Sequence, residues 1–438
     1  MSARGLWTSR EWRLVSEHQT PLTSGRRPLI VLALLAVSAC SGGPGESDAR
    51  AAAPITVQIR ADPEEAAVYR SLVTAYRDAG GGEVELVTVG RNDHLTRLST
   101  AFASGDAPDV FLINYREYAP LVERGAVHAI GPLLEQEGLD TADYYEEPLR
   151  AFTYDDALQC MPQNISSLVV YWNRGLFEQA GVAAPKAGWT WDDFVRTAQA
   201  LTTGDVKGVG IDPSITRLAP FIWSSGGTIV DDDTTPTRTT LHELGARAAL
   251  DAVVDLIGTG ATPNKEQLAA QGLPEQFMTA RVAMFLSSRV EVPALREQRG
   301  LDFDVAALPV MDEPMSVLHS DAYCVATASE NKQAAAKFVA YAVGRQGQTI
   351  TALGGRTVPS LRSVATSPAF LSPTRAPASS QVFLDAIPLL RHTPVTPSWP
   401  EVEDVIGTQL QRAFEDGVPL DEVLEEIRTQ ADPLLRQR

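Results

Sequence analysis

Residues 55–113 read ITVQIRADPEEAAVYRSLVTAYRDAGGGEVELVTVGRNDHLTRLSTAFASGDAPDVFLI, and the periodicity of this stretch decides the fold class. Ile55, Val57 and Ile59 alternate with Thr56 and Gln58, the period of two that a half-buried strand requires. From Pro63 to Tyr76 the spacing becomes helical, with Ala66, Val68, Tyr69, Leu72, Val73 and Tyr76 on one face behind Asp62 as N-cap. Gly80-Gly81-Gly82 stops that helix, and Val84–Val89 is a second strand. A second helix covers 93–103, and Val110–Ile113 is a short apolar third strand. Strands alternating with helices predict an α/β fold with a mostly parallel sheet.

The alternation weakens after Asp143 and resumes with a strand at 168–172. Thr190 and Asp193 form a capping box that opens a helix at Trp191, with Asp in the place of the usual Glu. Helical periodicity dominates 244–257, 331–343 and 401–430. Proline is dense from Pro359 to Pro400, which reads as ordered surface loops.

Upstream, Arg26 and Arg27 precede an eleven-residue apolar run, Leu29–Ala39. It is too short to cross a ~30 Å hydrocarbon core, which takes about 20 helical residues. A basic flank, a short apolar stretch and small residues at its end describe a bacterial secretory signal. Val37-Ser38-Ala39-Cys40 resembles a bacterial lipobox. That resemblance implies removal of residues 1–39, lipidation of Cys40, and a tether over 40–53 holding an extracytoplasmic protein at the cell membrane. Removing 1–39 takes five basic and two acidic residues, so the whole chain's charge of -18 becomes -21 over 399 residues.

Composition narrows the chemistry. The chain is 44% hydrophobic and 21% charged, which supports real cores and argues against disorder. With 55 acidic against 37 basic residues, no nucleic-acid partner is expected. Three cysteines argue against a disulfide-dense scaffold or Cys-rich zinc module. No GxSxG elbow, GxxxxGK[ST] loop or HExxH helix occurs, so neither catalysis nor a cofactor or metal is expected. His94, His128, His242, His319 and His392 are scattered. Asp231-Asp232-Asp233 reads as a solvated turn or a calcium loop, though its spacing is not that of an EF-hand.

Several stretches together resemble the sugar-binding, maltose-binding-protein-like family of extracellular solute-binding proteins that serve bacterial ABC importers. Gly105–Phe111 reads GDAPDVF, like the family's turn into its third strand. Pro162-Gln163-Asn164, the 168–172 strand, Leu176-Phe177, Ala180-Gly181 and Thr190-Trp191-Asp192-Asp193 follow the family's order. Phe277–Phe285, Ala328–Val339 and Gly354–Pro359 resemble later family segments, the first more loosely because Thr279-Ala280-Arg281 replaces the usual Gly-Lys.

The resemblance implies a periplasmic-binding-protein-like fold of two α/β lobes joined by a multi-strand hinge, with the ligand in the cleft between them. It places 54–163 and 288–320 in lobe 1, and 164–287 and 321–438 in lobe 2. Crossings fall after Gln163, near Ser287 and near Asp321, so Cys160 and Cys324 flank two of them and are expected to pair, the alternative being two buried free thiols. The implied partners are a sugar or oligosaccharide and the transmembrane subunits of a permease, with the protein a monomer.

A sugar needs planar donors and acceptors for its hydroxyls and aromatic rings for its C–H faces. Open α/β sheets bind ligands at the carboxyl ends of their strands. The candidates are Asn92 and Asp93 after the second strand, Asn114, Tyr115 and Arg116 after the third, and Gln163, Asn164 and Ser166 at the first crossing. Trp223 is the expected stacking platform, with Trp399 either a second platform or a loop anchor. Ser288, Arg289, Asp321, Tyr323, Gly355 and Arg356 complete the set by family resemblance. The three arginines keep a second ligand class open, an anionic solute such as a glycerophosphodiester. A secreted carbohydrate-active enzyme is the rival from another class, since paired carboxylates meet in space rather than in sequence.

Overall fold

The computed structural model describes residues 53–90 and 93–437. The signal, Cys40, residues 40–52 of the tether and Asn92 lie outside the described residues. Among the described residues the unit Ala51–Arg438 contains two main sheets, each with its own helices, and two small two-stranded ones. The opening alternation forms as its periodicity predicts: β1 (Ile55–Arg60), α1 (Pro63–Asp78), β2 (Val84–Val89), α2 (His94–Ser104) and β3 (Val110–Asn114). Short strands β4 (Val127–His128) and β5 (Cys160–Pro162) complete the first pass. The second lobe takes β6 (Val169–Asn173), α3 (Trp191–Leu201), β7 (Lys207–Gly210), α4 (Ile215–Ser224) and α5 (Leu244–Gly258). It continues with β8 (Val282–Ser287) and β9 (Phe303–Ala306). Then come β10 (Asp321–Ala326), α6 (Lys332–Val343), α7 (Arg345–Gly354), α8 (Trp399–Asp416) and α9 (Leu420–Leu435). The helix expected over 401–430 is two, because Gly417 turns at φ 67°, a left-handed conformation glycine enters without a Cβ clash.

The first sheet has the order β2-β1-β3-β10-β4, with β5 also paired to β10; the second has the order β9-β6-β8-β7. β1 runs parallel to β2 and β3, and β7 runs parallel to β8. The other pairings in these two sheets are antiparallel, so the sheets are mixed rather than mostly parallel. The cause lies in the crossings. β1 and β3 run towards the hinge, whereas β10 enters directly from it and starts where they end, Asp321 opposite Asn114. β6 enters the second sheet in the same way, Val169 opposite Ser287.

The lobe boundaries require correction for the same reason. β9 pairs with β6 in the second sheet, although 288–320 was expected in lobe 1. β10 pairs with β3 in the first sheet, and α6 and α7 pack on α1, although 321–438 was expected in lobe 2. Val292 and Leu295 return to the first core, and from the C-terminal tail α8 and α9 join the second through Trp399, Ile406, Val423 and Ile427. The chain therefore changes lobe more often than three crossings allow. Cys160 on β5 and Cys324 on β10 stand in register, their Cα atoms 4.4 Å apart, and are joined by a disulfide.

Candidate functional site

The carboxyl ends of β1 and β3 in the first sheet and the segments that follow β7 and β8 in the second line one cleft of about 320 Å³. From the first lobe it is lined by Arg60 at the end of β1, Asn114 and Arg116 at the end of β3, Asp321, and Arg356 beyond α7. Asp212, Ser214, Thr216 and Arg217 face them from the loop after β7 and the start of α4. Ser288 and Val290 follow β8, and Glu403 projects from α8. Asn164, Ser166, His319 and Ser320 line it from the crossing segments, which hold each other as a short antiparallel ladder: Ser166 N–H donates to His319 O at 2.9 Å and His319 N–H to Ser166 O at 2.8 Å.

Asp321 organises the first-lobe wall. One carboxylate oxygen accepts from Arg60 Nη2 at 3.1 Å and Asn114 Nδ2 at 3.0 Å; the other accepts from Arg356 Nη2 at 3.2 Å. Its own amide donates to Asn164 Oδ1 at 2.9 Å, tying the wall to the hinge. Arg356 is buried and also pairs with Glu65 at 2.8 Å. Burial opposes its charge, yet Glu65, Tyr69 and Asp321 together hold its pKa above the usual arginine value. Arg116 donates to Asn114 Oδ1 at 3.0 Å and forms an ion pair with Glu403 across the cleft. Burial raises the Glu403 carboxyl above its ordinary value, and Arg116 only partly offsets that.

On the other wall, burial lowers the pKa of Arg217, with Asp212 and Glu291 opposing. Its Nη1 lies 3.3 Å from His319 Nε2. Arginine only donates, so Nε2 accepts and the proton of a neutral imidazole sits on Nδ1. Burial, then Arg217 and Arg116, hold His319 well below its usual pKa, so it is neutral near pH 7.

Among the described residues, seven of those singled out from the sequence line the cleft: Asn114, Arg116, Asn164, Ser166, Ser288, Asp321 and Arg356. The other described candidates do not, each for a visible reason. Trp223 is 4% exposed in the second core, its ring under Arg391 at 4.9 Å, and Trp399 is a wholly buried core anchor. Tyr115 is buried against Thr393, and Gln163 bonds Tyr69 behind the wall. Arg289 is buried between Phe370 and Phe383 and donates to Gly355 O and Ser380 Oγ. Tyr323 sits inside the first core, and Gly355 shapes the left-handed turn that presents Arg356. Asp93 is exposed at the start of α2.

Sequence reasoning missed Arg60, Asp212, Ser214, Thr216, Arg217, His319, Ser320 and Glu403. The strand-end rule would have found the first five, since Arg60 ends β1 and Asp212–Arg217 follow β7. Asp231 and Asp232 accept amide hydrogens of their own loop at 2.7 to 3.2 Å, which makes this acidic run a turn. No cluster of metal-ligating side chains occurs among the described residues.

A sequence model of the family described as bacterial extracellular solute-binding protein matches residues 71–378. A binding protein of Brucella abortus (strain 2308) is 22% identical over 353 residues, 78% of this chain and 83% of that one. The Listeria monocytogenes ABC substrate-binding protein in complex with cycloalternan shares the fold with a TM-score of 0.81 at 21% identity, covering 87% of this chain and 98% of that one. Mycobacterium tuberculosis UgpB in complex with glycerophosphocholine has a TM-score of 0.77 at 21% identity, covering 87% and 98%. A Thermotoga lettingae solute-binding protein bound with α-D-tagatose has a TM-score of 0.77 at 20% identity, covering 87% and 99%.

Proposed function

We propose that this chain, which belongs to the bacterial extracellular solute-binding protein family, captures a small polar solute between its lobes and delivers it to an ABC permease. The observation that carries the reading is the cleft itself. It is built from the carboxyl ends of strands in both sheets, so a solute filling it touches both walls. A ligand that contacts both lobes stabilises the closed form by its differential affinity for that form. The hydroxyls, amides and guanidinium groups of the lining match a solute rich in hydroxyl groups, and proteins of this fold are found with cycloalternan and tagatose. Binding alone is needed, and the solute leaves unchanged.

Thermal-shift screening against sugars, glycosides and glycerophosphodiesters tests this reading. A solute at 100 times its Kd adds about 2.7 kcal/mol to stability. Failure of every class would refute it. Incubation with labelled oligosaccharides separates capture from hydrolysis: a binder returns them intact. Lipid attachment at Cys40 belongs to the same proposal, and Cys40→Ala should release the protein from the membrane fraction.

A further inference from the structure

We propose that the captured solute is anionic and that its phosphate or carboxylate group is held by Arg217 at the start of α4; this rests on reading the chain as a solute-capturing protein. Among the described residues four arginines reach the cleft, and three are already matched with acids. Arg60 pairs with Asp321 at 3.1 Å, Arg116 with Glu403, and Arg356 with Glu65 at 2.8 Å and Asp321 at 3.2 Å. Arg217 differs. Its side-chain bonds go to two neutral groups, His319 at 3.3 Å and Ser287 Oγ at 3.5 Å, and no described carboxylate lies within the 4.0 Å of an ion pair. A half-buried guanidinium held this weakly keeps its planar fork for a carboxylate or phosphate.

The surroundings suit the same group. Ser214 and Thr216 place hydroxyls beside Arg217 on the cleft surface, and His319 offers its Nδ1 proton. The ten-residue helix α4 begins here, so its first-turn amides and the positive end of its dipole are directed at this wall. Asp212 takes one of those amides, accepting from Ser214 N–H at 2.7 Å, but it is exposed and leaves Arg217 unpaired. No aromatic ring of Phe, Tyr or Trp lines the cleft among the described residues, so a pyranose face finds no stacking partner where an anion finds a fork. A neighbouring compartment of about 590 Å³ shares Asp212, Ser214 and Glu403 with the cleft and gives the uncharged remainder of the solute room.

The test is calorimetric titration of the exported chain with matched probes: glucose 6-phosphate and glucuronate against glucose, and glycerol 3-phosphate against glycerol. At least one anionic probe should bind at least tenfold more tightly than its neutral counterpart, and the phosphate and carboxylate arms identify the group. Arg217→Gln should weaken that binding about 10- to 100-fold, the range for a charge-assisted hydrogen bond. Arg217→Lys, which keeps the charge and loses the fork, should fall between, and it carries the test should the Gln variant not fold. A neutral sugar binding as tightly as its anionic partner, or an anion bound equally well by parent and folded variants, would overturn the proposal while leaving solute capture intact. Failure of every probe would overturn both.

Discussion

Breaking the Cys160–Cys324 bond should lower the melting temperature by about 6 °C. The bond closes a chain segment of 164 residues. By the chain-entropy relation such a closure removes about 17 cal/mol/K from the unfolded ensemble, or about 5 kcal/mol at 25 °C. Unfolding entropy for the unit Ala51–Arg438 is on the order of 0.8 kcal/mol/K, which converts that loss into the stated shift. The native state should change little, because Cys160 and Cys324 remain opposed in the β5–β10 ladder without the bond. The effect therefore acts through the unfolded chain. Calorimetric melts of the oxidised protein, the reduced protein and the Cys160→Ala/Cys324→Ala double variant measure it. The two broken forms should agree within about 2 °C, allowing for the methyl-sized differences at two buried sites. A shift below about 2 °C in both would refute the entropic account, and so would a broken form more stable than the parent.

Asp321→Asn removes the charge that holds Arg60 and buried Arg356, and should cost about 3 kcal/mol in a denaturant melt. Equal stability of parent and variant would show that Glu65 on Arg356 and Glu117, 3.7 Å from Arg60, suffice. Trp223→Ala should cost about 3 to 5 kcal/mol through the cavity it leaves in the second core while leaving solute affinity of the folded protein within twofold; a tenfold loss of affinity at unchanged stability would return Trp223 to the cleft. Burial lowers the pKa of His94 from 6.5 to about 4, its Nε2 proton going to Leu112 O at 2.7 Å. The titrating proton goes to the buried Nδ1, and the unfolded chain takes it up more readily, so His94's contribution is complete above pH 6.5 and is lost as pH falls towards 4, by about 3 kcal/mol in all. His94→Gln should flatten that part of the pH–stability curve, and a curve of unchanged slope would contradict the assignment.

The elements between 55 and 113 were legible because each strand carries one period and is punctuated by Gly or a cap. The box at Thr190 was equally local: Thr190 Oγ1 accepts from Asp193 N–H at 3.2 Å and Asp193 Oδ2 accepts from Thr190 N–H at 3.0 Å. Lobe membership after 287 was not legible, because β9 and β10 are chosen by partners far away in sequence, β6 and β3, and not by their own pattern. Trp223 misled because Ser224–Gly227 after it reads as a loop mouth. The apolar spacing of Ile215, Leu218, Ala219 and Ile222 marks a buried helix that carries Trp223 into the core. In the cleft, the residues beside motifs shared with the family were legible, whereas Arg60 at the end of β1 and Asp212–Arg217 after β7 lie in no such motif. Arginine identity alone did not separate Arg289, sealed between two rings, from Arg217 on the cleft surface.

Capture by lobe closure is tested most directly by the distance between the two lobes in solution. Spin labels at Arg70 on the exposed face of α1 and at Thr429 on the exposed face of α9 place one probe on each lobe. Pulsed dipolar spectroscopy then reads their separation with and without a saturating amount of the solute that raises the melting temperature most. The account predicts a shift of the whole distribution to a narrower, different distance on binding, abolished when the solute is dialysed away. An identical distribution in the presence of bound solute would contradict it.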